Sequence, residues 1–228
     1  MMAGEPESLH THEPLRARVE RHNYDRLLML SDGVFAIAIT LLALELKVPA
    51  QWDGSVEGLF GATGRPLIGY LFGFTLVGVF WFLHRRLFAE LEQVDGVITL
   101  LNLVLLGLVG LTPFVVRMIA EAGAGRALPF YLIAVGAVFA SVALIHAWVM
   151  FRPRLFHAGV DRSAFRMTAF FQAAMAIAFV GLGSWALWMH RPVDGTLFSI
   201  VVIILAVAQR TLRHRRRRRL QTSSTSRP

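Results

Sequence analysis

Five apolar runs, at 27–48, 66–84, 97–118, 128–150 and 168–190, occupy most of this chain. A bilayer core about 30 Å thick is crossed by about 20 helical residues, so each run is long enough to span. A sixth run, 196–209, is short for a crossing. It reaches across if its helix begins near Asp194 and Arg210 and Arg213 extend their head groups to the interface. The expected fold is an all-α polytopic membrane bundle with six transmembrane helices per subunit. Its organisation reads as an unstructured tail at 1–20, a six-span domain at 21–213 and a basic tail at 214–228.

The balance of residue types agrees with lipid as the solvent. Hydrophobic residues make up 55% of the chain and charged residues 17%, where a soluble domain runs nearer a quarter charged. Mean hydropathy is +0.56. The absence of cysteine removes disulfide frameworks, thiolate metal sites and cysteine nucleophiles. Residues 1–20 are polar and charged, with no short apolar core or small-residue cleavage site. The first run is therefore expected to stay in the mature protein.

Basic residues set the orientation. With six spans, the termini and the loops 85–96 and 151–167 share one side and carry 18 of the 23 Lys and Arg; the other side carries 5. The positive-inside rule puts both termini in the cytoplasm of a cell (inner) membrane protein. A five-span chain would leave the Arg215–Arg219 run outside, against that rule. Trp52, Trp185 and Trp188 fall at the outer interface and Trp81 and Trp148 at the inner one, as an aromatic belt requires. The five arginines repel one another and suit anionic headgroups better than nucleic acid. No repeat relates spans one to three with spans four to six, so an inverted-repeat transporter gains no support.

Span one carries four polar residues: Ser31, Asp32, Thr40 and Glu45. Intramembrane charge is costly and marks function by default. Here, however, Asp32 lies within two turns of the inner interface and Glu45 with Lys47 at the outer end. The middle of the span is uncharged. Gly33, Ile37, Thr40, Leu41 and Leu44 recur at i, i+4, i+7, i+8 and i+11, which is one helix face. Asp32 lies about 140° from Ile37 around the helix, so the two cannot line one cavity. By periodicity alone, the stripe reads first as a face turned to lipid or to a packed neighbour.

The sequence Arg26-Leu27-Leu28-Met29-Leu30-Ser31-Asp32, followed by small and branched residues and Thr40, resembles the bacterial branch of the transmembrane protein 175 potassium channels. The family's R-x-x-x-F-S-D pattern is met except that Leu30 stands where Phe is usual, which alters packing there. The resemblance continues through VFWFLHRRLF (79–88), similar to a W-x-x-H pattern, and through Asn102 and LTPF (111–114). Beyond 118 it rests on span count and topology. It implies a homotetramer of six-span subunits without a TVGYG filter, its pore lined by the first helix of each subunit.

By position, Ile37 is then the main constriction, Leu41 and Leu44 lie one and two turns outward, and Thr40 supplies a hydroxyl ring. The resemblance also implies a polar network of Arg26, Ser31, Asp32, His84 and Asn102 holding span one against spans two and three. The function implied is passive K⁺ flux through an apolar constriction that gates by dewetting. K⁺ is the permeant ion, with no cofactor and no metal site. The alternatives are an ion- or proton-coupled secondary transporter, or a non-conducting scaffold of the same fold.

Other constellations read blandly. Arg85 and Arg86 are inner-side anchors, and His146 and His190 are interfacial with no metal-ligand spacing. Trp81 reads as a belt or packing residue rather than a cation site. Gln172 is able to bond across helices, Pro113 is expected to kink span three, and GATGRP (61–66) lacks the spacing of a phosphate loop. Neither H-E-x-x-H, nor G-x-S-x-G, nor a facing pair of acids is present, which leaves an intramembrane enzyme little to work with.

Overall fold

The structure, a computed structural model, describes residues 15–48, 50 and 52–189. The chain there is helical: α1 (Leu15–Ala43), α2 (Val56–Phe88), α3 (Gly96–Gly110), α4 (Thr112–Ala122), α5 (Ala124–Met150) and α6 (Arg162–Met189), with a 3₁₀ turn at Pro153–Leu155. Five stretches are long and apolar enough to cross a membrane: Arg18–Ala43, Pro66–Phe88, Gly96–Ala122, Gly125–Met150 and Arg162–Met189. They coincide with the five runs read from the sequence, and the protein is an all-helical membrane bundle. The run at 196–209, the tail at 214–228 and most of the tail at 1–20 lie outside the described residues.

Helix ends differ from the expectation in three places. Residues 15–20, expected to be unstructured, belong to α1. At its other end α1 stops at Ala43, short of Val48; Leu44 and Glu45 close it with N–H bonds to the carbonyls of Leu41 and Leu42, a tightened last turn. Helix α2 begins ten residues before the expected 66, because Ser55 caps it: its Oγ accepts the Gly58 N–H at 2.9 Å. The GATGRP stretch is therefore helical, with Pro66 inside α2. Span three is broken near Pro113 as expected. Helix α3 ends at Gly110, and α4 starts at Thr112 with the proline in its first turn, where its missing N–H costs nothing.

Helix α1 packs against α2, α3 and α4; α5 packs against α3, α4 and most extensively α6. The core is one cluster running from Phe35, Ala38 and Leu42 of α1 through Phe80, Ile98, Leu105 and Val109 to Tyr131, Ile145 and Phe179. The α5–α6 seam is close because it uses glycine. A Cβ on Gly183 would stand 2.7 Å from the Pro129 carbonyl oxygen, and one on Gly136 2.8 Å from the Val180 nitrogen.

On the side expected to be cytoplasmic, the loops after α2 and α5 pair with each other. Leu91 and Phe156 form an antiparallel bridge. The Glu92 N–H donates to the Leu155 carbonyl at 2.9 Å, and the His157 N–H to the Glu90 carbonyl at 3.1 Å.

Candidate functional site

Helix α1 has two unlike faces. Ser31, Phe35, Ala38 and Leu42, spaced i, i+4, i+7 and i+11, are at most 1% exposed, pressed against α2, α3 and α4. The opposite stripe is left uncovered by the described residues: Ile37 is 59% exposed, Leu41 40% and Leu44 71%, and Thr40 is also exposed. Leu44 stays in register with the stripe although it lies one residue past the helix, because its N–H still reaches Leu41. The Thr40 hydroxyl donates to the Ile37 carbonyl at 2.9 Å. With its hydrogen spent on its own backbone, that oxygen offers the outside only lone pairs.

The residues expected to form one polar network divide into two groups. The first is buried and linear. Ser31 Oγ donates to the Leu27 carbonyl at 2.8 Å, Asn102 Nδ2 donates to Ser31 Oγ at 2.9 Å, and His84 Nε2 lies 2.8 Å from Asn102 Oδ1. The Leu27 carbonyl is able only to accept, so Ser31 donates to it and receives from the Asn102 amide. That turns the Asn102 oxygen toward His84, whose Nε2 carries the proton. His84 Nδ1 is left as a buried acceptor without a partner among the described residues. Its ring is stacked on Phe88 at 4.3 Å between centroids and tilted against Phe35 at 5.5 Å. Three spans thus meet at one asparagine: α1 through Ser31, α2 through His84, and α3, which supplies Asn102.

The second group lies at the surface. Asp32 does not join the buried chain; its Oδ1 accepts the Trp81 indole N–H at 2.8 Å. The Arg85 guanidinium sits over the Trp81 ring, 4.9 Å from its centroid. Trp81 therefore does face a cation, which the belt-or-packing reading missed. The signal available was the i, i+4 spacing of Trp81 and Arg85 at an inner helix end. No hydrogen bond or ion pair joins Arg26 to Ser31, Asp32, His84 or Asn102 among the described residues. Arg26 instead lines a groove with Asn23, Asp95 and Thr99.

At the outer end Glu45 is not merely interfacial. Its carboxylate lies 3.6 Å from the Arg117 guanidinium, which also holds Glu121 at 2.8 Å. The last turn of α1 is thereby tied to α4. Gln172 and His146 are buried; His146 bonds the Val142 carbonyl of its own helix through Nδ1 at 2.8 Å. Among the described residues there is no cluster of His, Cys, Asp and Glu suited to a metal.

The chain is similar to known proteins over part of its length. Residues 26–113 match the family described as endosomal/lysosomal potassium channel TMEM175. A protein of Streptomyces collinus named potassium channel is 39% identical over 97 residues, covering 42% of this chain and 47% of its own. A mouse protein named endosomal/lysosomal proton channel is 33% identical over 118 residues, covering 48% of this chain and 22% of its own. The chain thus spans about half or less of the length of these relatives.

Among solved structures, a lysosomal potassium-selective channel TMEM175 homolog from Chamaesiphon minutus superposes with a TM-score of 0.61 at 25% identity. The match covers 82% of this chain and 98% of that one. The resemblance read over 26–118 is met by the family match at 26–113, and the fold likeness extends well beyond it.

Proposed function

We propose that the chain is a K⁺-permeable channel in which α1 of four subunits surrounds the pore. The observation that carries this reading is the division of α1: one face fully buried, the other an uncovered stripe of Ile37, Thr40, Leu41 and Leu44. Relatives named potassium channel and a structural neighbour described as potassium-selective support it. Four Ile37 side chains meeting on an axis make an apolar ring that expels water when narrow and closes the pore. When wider, the ring passes ions that thin their hydration shell, and K⁺ holds water less tightly than Na⁺. Thr40 sets oxygen lone pairs, not hydrogens, one turn from that ring, which suits a cation. Leu41 and Leu44 continue the apolar wall outward.

In this reading the Asn102 network and the Asp32–Trp81 pair hold α1 and do not touch the ion. The subunit is a multi-pass protein of the cell membrane with both termini cytoplasmic. It performs no covalent chemistry, and its basic tail at Arg215–Arg219 lies on anionic headgroups. Proton permeation is a second reading, favoured by the name of the mouse relative, a proton channel.

Flux through liposomes of purified protein tests both readings. A K⁺ gradient should dissipate without a coupling ion, which separates a channel from a transporter or a scaffold. Acidification of the lumen in the absence of K⁺ would favour the proton reading.

A further inference from the structure

The Asp32–Trp81–Arg85 clasp between α1 and α2 occurs a second time, between α3 and α5. Trp148 donates its indole N–H to Asp95 Oδ2 at 2.9 Å, and the Arg152 guanidinium lies over the Trp148 ring at 4.6 Å. The correspondence is detailed. Both acids open an Asp-Gly-Val sequence, at 32–34 and 95–97, and both tryptophans are followed four residues later by the stacked arginine. The acid and its tryptophan are 49 residues apart in the first clasp and 53 in the second. In each, the tryptophan lies near the end of its helix; the acid stands at the very start of α3 in the second clasp but well inside α1 in the first.

The second clasp differs in being wired inward. Asp95 uses both carboxylate oxygens: Oδ1 caps α3 by accepting the Ile98 N–H at 2.9 Å, while Oδ2 takes Trp148. One residue thus fixes where α3 begins and which helix it begins against. Seven residues on, and so two turns along the same helix, Asn102 holds Ser31 of α1 and His84 of α2. The paired inner loops reinforce the anchor, with Gln93 Nε2 donating to the Arg154 carbonyl at 3.3 Å.

We infer that Asp95, Trp148 and Arg152 are positioning residues for α1, acting through α3 and the Asn102 bond to Ser31. The inference rests on the proposed function only in taking α1 as the pore helix. A clasp serving α3 and α5 alone would have no effect on α1. A clasp wired through Asn102 sets the position of the helix whose other face carries Ile37.

Backbone hydrogen exchange on the full-length protein in liposomes tests it without relying on conduction. Trp148→Phe keeps the ring and removes the donor, and Arg152→Gln is a milder variant that keeps the indole bond. In Trp148→Phe, exchange in α1 over 27–43 should rise about threefold or more, a shift typical of residues sharing one network. Exchange in α6 should not change. Arg152→Gln should shift α1 in the same direction by less. Adding Trp148→Phe to Asn102→Leu should loosen α1 no further than Asn102→Leu alone.

Exchange that rises only in α3 and α5, or effects of the two substitutions on α1 that add, would overturn the inference. Bi-ionic flux on the same samples tests the channel reading separately. If wild type carries no K⁺, that reading fails, while the exchange result still decides whether the second clasp positions α1.

Discussion

Asn102 is the residue on which the buried chain turns, because its side chain is bonded to two other spans at once. Replacing it by leucine leaves the His84 Nε2–H without its acceptor in an apolar interior and removes the amide that donates to Ser31. The expected cost is about 2 kcal/mol, since a buried polar group that loses its partner bears its full desolvation penalty. Thermal unfolding in detergent should report it as a lowered midpoint, with Ser31→Ala showing a smaller loss of about 1 kcal/mol.

Glu90, in the inner loop, offers a pH test. Its pKa is raised above the ordinary carboxylate value by burial, with Arg86 at 4.0 Å opposing and Asp161 adding to the rise. A raised carboxylate favours the folded state at acid pH, and that contribution is lost as pH rises through the folded pKa. Glu90→Gln should therefore match wild type in stability at acid pH and exceed it at neutral pH. A neutral-pH midpoint below that of wild type would contradict this assignment.

At the scale of elements, apolar length made all five described spans legible, and Pro113 marked the break between α3 and α4. The ends were less legible, for local reasons. Helix α2 starts at Ser55, whose capping bond is a short-range signal outside the apolar run. Helix α1 stops at Ala43, and the Glu45–Arg117 contact that fastens its exit is made between spans, which no local pattern reveals. Of the network, Ser31, His84 and Asn102 were found through the resemblance, whereas the pairing of Asp32 with Trp81 depends on how two helices face each other.

The α5–α6 seam gives a further prediction. Gly183→Ala places a methyl group against the Pro129 carbonyl and Ile133, backbone and branched side chain that cannot both retreat. It should destabilise the protein by about 1–3 kcal/mol, the usual cost of overpacking, measurable as a lowered unfolding midpoint. The K⁺ flux of the folded fraction should be retained, because α6 packs chiefly on α5.

For the whole molecule, the proposal turns on the stripe of α1 that the described residues leave exposed. Large apolar side chains facing outward are ordinary against lipid, and periodicity alone read this stripe that way. The proposed reading has it line a pore instead, with the Thr40 lone pairs turned outward and the far side of the helix tied to α3 through the Asn102–Ser31 bond. The central claim is that Ile37 forms the constriction of a K⁺-permeable pore. Bi-ionic K⁺ and Na⁺ flux through liposomes, for wild type and Ile37→Asn, tests it most directly. The account predicts K⁺-favouring flux in wild type, and higher flux with the preference for K⁺ lost in the variant. Wild-type liposomes that hold their K⁺ gradient, or an Ile37→Asn protein with unchanged conductance and selectivity, would contradict it.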